Sequence, residues 1–189
     1  MADQVAEGLL SPWLRKKRFE AARPFLKGRV LDFGCGSGAL AALVDPEHYL
    51  GVEVDEVSLR QAKEDFPKHS FVSRLPEPSV KFDTIISLAV IEHVSDPSSF
   101  LASLANHLDV SPSACLVVST PHPAVDWVHD MGATLGLFSK HASEEHEELL
   151  DRPKLELAGK QADLKLTSYQ RFLFGANQIA VFQKAEHGC

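Results

Sequence analysis

At 189 residues and 20.7 kDa the chain is long enough for one domain with a substantial core and too short for two of ordinary size. With 44% hydrophobic and 24% charged residues, neither disorder nor a fibrous repeat fits. A net charge of −7 has the wrong sign for a protein that grips phosphate backbones.

The N-terminal residues carry Asp3 and Glu7 where a signal peptide would carry cations. Ser11 followed by Pro12 predicts a helix start that runs through Trp13, Leu14, Phe19 and Ala22 to near Pro24. Within it, Arg15, Lys16, Lys17 and Arg18 read as a solvated face. Arg29 to Phe33 predicts a buried strand that ends at Gly34, Ser37 to Val44 a helix, and His48 to Glu53 a second strand. Asp55 caps a helix through Leu59 and Ala62, residues 70 to 73 form a third strand, and Asp83 to Leu88 a fourth. The longest largely apolar run, Ile85 to Ile91, is seven residues, far too short to span a bilayer. Asp96 with Pro97 opens a helix through Phe100, Leu104 and Leu108, and Ala114 to Ser119 is a fifth strand.

Apolar strands separated by helices of about ten residues predict a parallel sheet covered on both faces, an α/β, doubly wound fold. From Pro121 to Leu150 the pattern breaks: Trp127, Met131, Phe138 and four histidines stand there with no clear strand, as in an excursion over the sheet's edge. The segments Leu164 to Phe174 and Gln178 to Gln183, parted by Gly175, Ala176 and Asn177, read as a hairpin. Cys35, Cys115 and Cys189 offer no paired spacing for disulfides or zinc. The expectation is a soluble, cytoplasmic, enzymatic domain.

The most informative stretch places Gly34, Gly36 and Gly38 where the first strand must turn into the next element. Gly34, Gly36 and Ala39 also satisfy the dinucleotide-binding pattern, so the loop alone is ambiguous. Glu53, 19 residues after Gly34, can accept both hydroxyls of an adenosine ribose, which fits NAD, FAD or S-adenosylmethionine equally. Asp32 discriminates: a carboxylate at the mouth would repel a pyrophosphate, whereas S-adenosylmethionine brings a cationic amine and a sulfonium. An alternative use for Asp32 is to accept the loop's own N–H groups.

The runs VLDFGCGSGAL from Val30, GVEVD from Gly51 and FDTIISLAVIEHVSDP from Phe82 resemble, in order and spacing, class I S-adenosylmethionine-dependent methyltransferases. The branch is that of the ubiquinone-biosynthesis O-methyltransferases, and the resemblance spans roughly residues 11 to 183. It implies a Rossmann-like, seven-stranded sheet with an antiparallel last strand in one domain over 1–189. That domain would divide into an N-terminal helix over 11–28, a cofactor core over 29–120, a lid over 121–150, and a last helix and hairpin over 151–189. It also implies that Gly34, Cys35 and Gly36 face the methionine part, Glu53 the ribose and Val54 the adenine, with Leu88 and Ala89 beside the sulfur. Arg18 is a candidate for the methionine carboxylate. Where relatives carry an aspartate after the third strand, this chain has Ser73, which implies weaker adenine discrimination.

Methyl transfer is an in-line displacement that needs positioning above all, and a base only if the acceptor loses a proton. Candidates past the fourth and fifth strands are Glu92, His93, His122, His129, His141 and His146. In the relatives a Glu-x-x-Glu-His run with a later histidine holds a divalent metal. Here Ala89 replaces the first carboxylate, leaving Glu92, His93 and His146. No metal site is assigned; a divalent metal, a general base and a substrate-orienting role all stay open. Glu92, His93 and His146 are the catalytic candidates, and His122, Trp127 and His141 the candidates for lining the acceptor pocket. The expected reaction is methyl transfer to a small or medium-sized metabolite, with oxygen the favoured acceptor atom. The alternatives are a non-catalytic S-adenosylmethionine or S-adenosylhomocysteine binder, an RNA-end methyltransferase, and a nicotinamide oxidoreductase.

Overall fold

The computed structural model describes residues 13–123 and 150–185. Helix α1 covers residues 13–22 and tightens into a 3-10 turn at Arg23–Phe25, where Pro24 denies the α-helix its next amide donor. Ser11 and Pro12, the expected helix start, lie outside the described residues. Seven strands follow: β1 (Val30–Phe33), β2 (Tyr49–Val52), β3 (Ser70–Val72), β4 (Thr84–Leu88), β5 (Cys115–Pro121), β6 (Leu164–Phe172) and β7 (Asn177–Lys184). Helices α2 (Glu56–Asp65), α3 (Pro97–Ala105) and α4 (Arg152–Gln161) lie between them.

The sheet order is β3-β2-β1-β4-β5-β7-β6. The first five of these strands are parallel, and β7 runs antiparallel to both β5 and β6. The doubly wound, seven-stranded architecture expected from the sequence is therefore present. From β1 the chain winds outward to β2 and β3 on one side and then returns to β4 on the other, so the order reverses at the carboxyl ends of β1 and β4. In open α/β sheets that reversal is where ligands bind.

The strands read as apolar runs because both faces are covered. On one face Leu31, Ile85, Leu116, Val118 and Phe182 pack with Leu101 and Leu104 of α3 and Leu155 of α4. On the other, Val30, Ile86, Val117 and Ile179 pack against Ala22 and Phe19 of α1. Three helices start on the caps their sequences signal. Asp55 accepts from the Ser58 amide, Asp96 from those of Ser98 and Ser99, and Asp151 from that of Lys154.

Two expectations are corrected. Ser37 to Val44 is no α-helix: only Ala39–Leu43 winds, as a 3-10 turn that starts on left-handed Gly38 and stops at extended Val44. Pro46 then forces Asp45 away from helical backbone, leaving too few residues for an α-helical nucleus. The hairpin turn is also earlier and wider than predicted. β6 stops at Phe172 and β7 starts at Asn177, with Leu173 and Phe174 both at positive φ in the turn.

Candidate functional site

The carboxyl end of β1 is built to bring backbone close to a bound group. Gly34 lies at φ +75° and Gly36 at φ +53°, conformations that a side chain disfavours. The amides of Gly34 and Cys35 both donate to the Val52 carbonyl, at 2.9 and 3.1 Å, which pins the loop to β2. The two glycines differ in purpose. A Cβ on Gly34 would stand 2.5 Å from Val90 Cγ2, whereas a Cβ on Gly36 would meet no atom within 4 Å. Gly34 permits packing, and Gly36 keeps an open cradle.

Glu53 closes the cradle from the end of β2. Its Oε2 accepts from the Gly36 amide at 2.8 Å and its Oε1 from the Asp55 amide at 2.9 Å. A carboxylate has about four acceptor positions, so each oxygen can still take a ligand hydroxyl. The loop amide that Asp32 was considered for is thus taken by Glu53. Asp32 instead accepts from the Tyr49 hydroxyl, Oη to Oδ2 at 2.7 Å. Asp32 is 4% exposed, and its carboxyl is pushed up to about 7. Burial is the main cause, the Tyr49 hydrogen bond pulls the other way, and the charge of Glu53 adds to the rise.

A cavity of about 160 Å³ opens beside the loop, lined among others by Arg15, Arg18, Asp32, Gly34, Cys35 and Leu88. Cations on α1 and a carboxyl on β1 therefore face one small space. Arg18 is held across the sheet: its Nε donates to Oδ1 of Asn177, the first residue of β7, at 3.3 Å. Burial pulls the Arg18 pKa down, and the nearby charge of Glu92 works against that. Ala89, just past β4, sits at φ +59° with its amide bound to the Ser119 carbonyl at 2.8 Å. Val54 is 76% exposed and Ser73 is exposed at the end of β3, so an apolar surface and a hydroxyl flank the cradle on the β2–β3 side.

The β4–β5–β7 side holds buried polarity. Glu92 and His93 lie in the 3-10 turn Ile91–His93, and Glu92 is 6% exposed with its pKa raised by burial. Among the described residues, Ser119 Oγ and Ser87 Oγ are buried with no hydrogen-bond partner, and the Thr120 hydroxyl lies by the Glu92 carboxyl and favours its ionised form. The His122 amide donates to the Ala176 carbonyl at 2.9 Å, which ties the exit of β5 to the hairpin turn, and burial lowers the pKa of its ring. A second cavity, about 340 Å³, opens at the opposite, amino ends of the strands beside Phe25, Lys27, Asp83, Thr84 and Cys115.

Residues 5–169 match the family model described as a methyltransferase domain. The chain belongs to that methyltransferase domain family. It is 33% identical over 113 residues to a protein of Ruegeria pomeroyi named ubiquinone biosynthesis O-methyltransferase, covering 52% of this chain and 43% of that one. Against the protein of the same name from Brucella ovis it is 28% identical over 162 residues, 77% of this chain and 63% of that one. The chain thus spans less than two thirds of the length of either relative. The crystal structure of magnesium protoporphyrin IX methyltransferase from Synechocystis PCC 6803 with bound SAH superposes with a TM-score of 0.62 at 18% identity, covering 97% of this chain and 83% of that one.

Within this methyltransferase domain the structure brings Arg18, Asp32, Gly34, Cys35 and Leu88 together around one cavity, with Gly36 in the same loop and Glu53 bound to it from the end of β2. His93 and Glu92 share one turn on the β4 side. Trp127, His129, His141 and His146, and with them most of the expected lid, lie outside the described residues. Among the described residues no group of three or more histidine, cysteine or carboxylate side chains could hold a metal ion. No helix among them is long and apolar enough to cross a membrane. Sequence reasoning missed Tyr49, Asn177 and Arg15. The partners of Tyr49 and Asn177 stand 17 and 159 positions away, beyond the reach of local pattern.

Proposed function

We propose that this methyltransferase domain binds S-adenosylmethionine at the β1–β4 switch point and transfers its methyl group to a small or medium-sized metabolite, with oxygen the favoured acceptor. The observation that carries this reading is the pairing of Arg18 and Asp32 on one cavity of about 160 Å³. Such a pair complements the carboxylate and ammonium of an amino-acid end, and Asp32 would repel a pyrophosphate. The open side of Gly36 is the cradle that the group would fill. The names of the relatives support an O-methyl acceptor.

In this reading Arg18 takes the carboxylate, Asp32 the ammonium, and Glu53 the ribose hydroxyls through its spare acceptor positions. Val54 and Ser73 flank the adenine, while Leu88 and Ala89 border the sulfur. When bound, S-adenosylmethionine supplies the methyl on a sulfonium, and the sulfur keeps the C–S electron pair as the new C–O bond forms. The protein's task is to hold the acceptor oxygen in line, which contributes on the order of 7 to 11 kcal/mol. The acceptor's proton passes to a base, for which Glu92 and His93 on the β4 side are candidates, as is His146, which lies outside the described residues. His122, Trp127 and His141 are assigned to the acceptor pocket.

Calorimetry against S-adenosylmethionine, S-adenosylhomocysteine and NAD tests the site, and methyl release on a metabolite extract tests the reaction. Binding of the two sulfur ligands with turnover is expected. Binding without turnover on any extract would leave the chain a non-catalytic partner subunit, and binding of NAD alone would end the reading.

A further inference from the structure

We propose that Tyr49, which does not line the cofactor cavity, is a positioning residue that fixes Asp32 for the ammonium of the cofactor's amino-acid end. This rests on the reading of the site given above. Its basis is a register in the sheet. Asp32 of β1 lies opposite Gly51 of β2, and Tyr49 is two residues before that glycine, on the same face. Because Gly51 carries no side chain, the tyrosine ring can lean past it toward its diagonal neighbour. Its hydroxyl then reaches Asp32 Oδ2 at 2.7 Å.

The space over Gly51 is closely guarded: a Cβ there would stand 2.6 Å from Phe71 Cδ1 and 2.9 Å from Cys35 Sγ. The ring itself is locked by edge contacts, with its centroid 5.6 Å from that of Phe71 and 5.4 Å from that of His69. Tyr49 is 3% exposed, so the phenol is a fixed donor and not a mobile one. One carboxylate oxygen is thereby committed to the protein. The other, Oδ1, has no hydrogen-bond partner among the described residues, and Asp32 lines the cavity. The result is a buried acid with one oxygen anchored and one offered.

The hydrogen bond also favours the ionised form that an ammonium requires, against burial and the charge of Glu53, which both oppose it. The titratable and charged groups facing Asp32 are Tyr49 and Glu53 from β2, Cys35 from the glycine loop, and Arg15 and Arg18 of α1, which line the same cavity. Loss of the phenol hydroxyl leaves the burial and the Glu53 charge unopposed by it, so a larger share of Asp32 stays protonated near neutral pH.

The test is Tyr49→Phe, which keeps the ring contacts and removes one oxygen. Two probes are titrated by calorimetry between pH 6.5 and 8.5: S-adenosylhomocysteine, and 5′-methylthioadenosine, which has neither ammonium nor carboxylate. The expected result is an S-adenosylhomocysteine Kd about fivefold weaker at pH 7, narrowing below about twofold by pH 8.5, with methylthioadenosine unchanged. In an Asp32→Asn background, Tyr49→Phe should add no pH-dependent loss. An equal loss on both probes, or a loss independent of pH, would show a merely structural tyrosine and overturn the proposal. No loss on either probe would overturn it as well. If the unaltered protein binds neither probe, the reading of the site fails first and takes the proposal with it.

Discussion

The two ends of the central strands each carry a cavity, and size and chemistry point in opposite directions. At the amino ends lies the larger space, about 340 Å³, and among its lining residues Asp83 and Thr84 already have partners. Asp83 Oδ2 accepts from the Arg29 amide at 2.8 Å, and the Thr84 hydroxyl lies 2.9 Å from the carbonyls of both Phe25 and Lys27. At the carboxyl ends the space is half that size, yet it holds an acid raised to about 7 and an arginine whose guanidinium makes, among the described residues, one hydrogen bond, through Nε. At the amino end Asp83 and Thr84 join the connection between α1 and β1 to the start of β4, whereas the carboxyl end keeps polar groups in reserve. Unspent polarity, more than volume, marks the place where a ligand is expected.

The largest effect that would sharpen this contrast is expected at Glu53. Its carboxylate serves the Gly36 amide and, in the proposed function, two ribose hydroxyls, so Glu53→Ala should weaken S-adenosylhomocysteine binding at least about 100-fold. A calorimetric loss of less than about threefold would put the ribose elsewhere.

Asp32 should reveal reserve polarity as a cost to the ligand-free fold. A carboxyl whose folded pKa lies above its unfolded value opposes folding increasingly as pH climbs from about 4 through about 7. Asp32→Asn removes that opposition, so its stability relative to the unaltered protein should improve by on the order of 2 to 3 kcal/mol between pH 5 and pH 8. Paired thermal melts at the two pH values measure it, and a constant difference would mean that Asp32 is already ionised in the fold.

Next come the two glycines. Gly34→Ala drives a methyl group into Val90 and should cost about 2 to 3 kcal/mol of stability. Gly36→Ala meets open space and should cost about 1 kcal/mol, through its positive φ alone, while reducing cofactor affinity about tenfold. Urea unfolding set beside ligand titration separates the pair, and the comparison breaks if Gly36→Ala binds normally. The smallest effect on binding belongs to the amino end. Thr84→Val should lose about 1 to 2 kcal/mol of stability and leave cofactor affinity within about twofold. A large affinity loss there would mean that the two ends are coupled.

Much of this was legible in the sequence, for physical reasons that also explain what was not. Buried parallel strands declare themselves because both faces must be apolar, as Ile85, Ile86 and Val117 are, and helix starts declare themselves through Asp55, Asp96 and Asp151. Gly34, Gly36 and Glu53 were readable because loop and strand end are close in sequence and bound by backbone rules. The Ser37–Val44 segment misled because its residue types suit a helix while Gly38 and Pro46 leave room only for a 3-10 turn. Tyr49 was silent because its role depends on which residue of β1 lies opposite Gly51, a register that no local pattern encodes. Asn177 was silent because its partner Arg18 stands 159 positions away on helix α1.

The sheet order also dictates a timetable. Strand β7 is made after β6 yet sits between β5 and β6, so β6 has no neighbour in the sheet until β7 arrives. Arg18 precedes Asn177 of that same strand by 159 positions, so its guanidinium is held only once that strand has been made. The grip of α1 on the cavity is therefore completed only once β7 is in place beside β5.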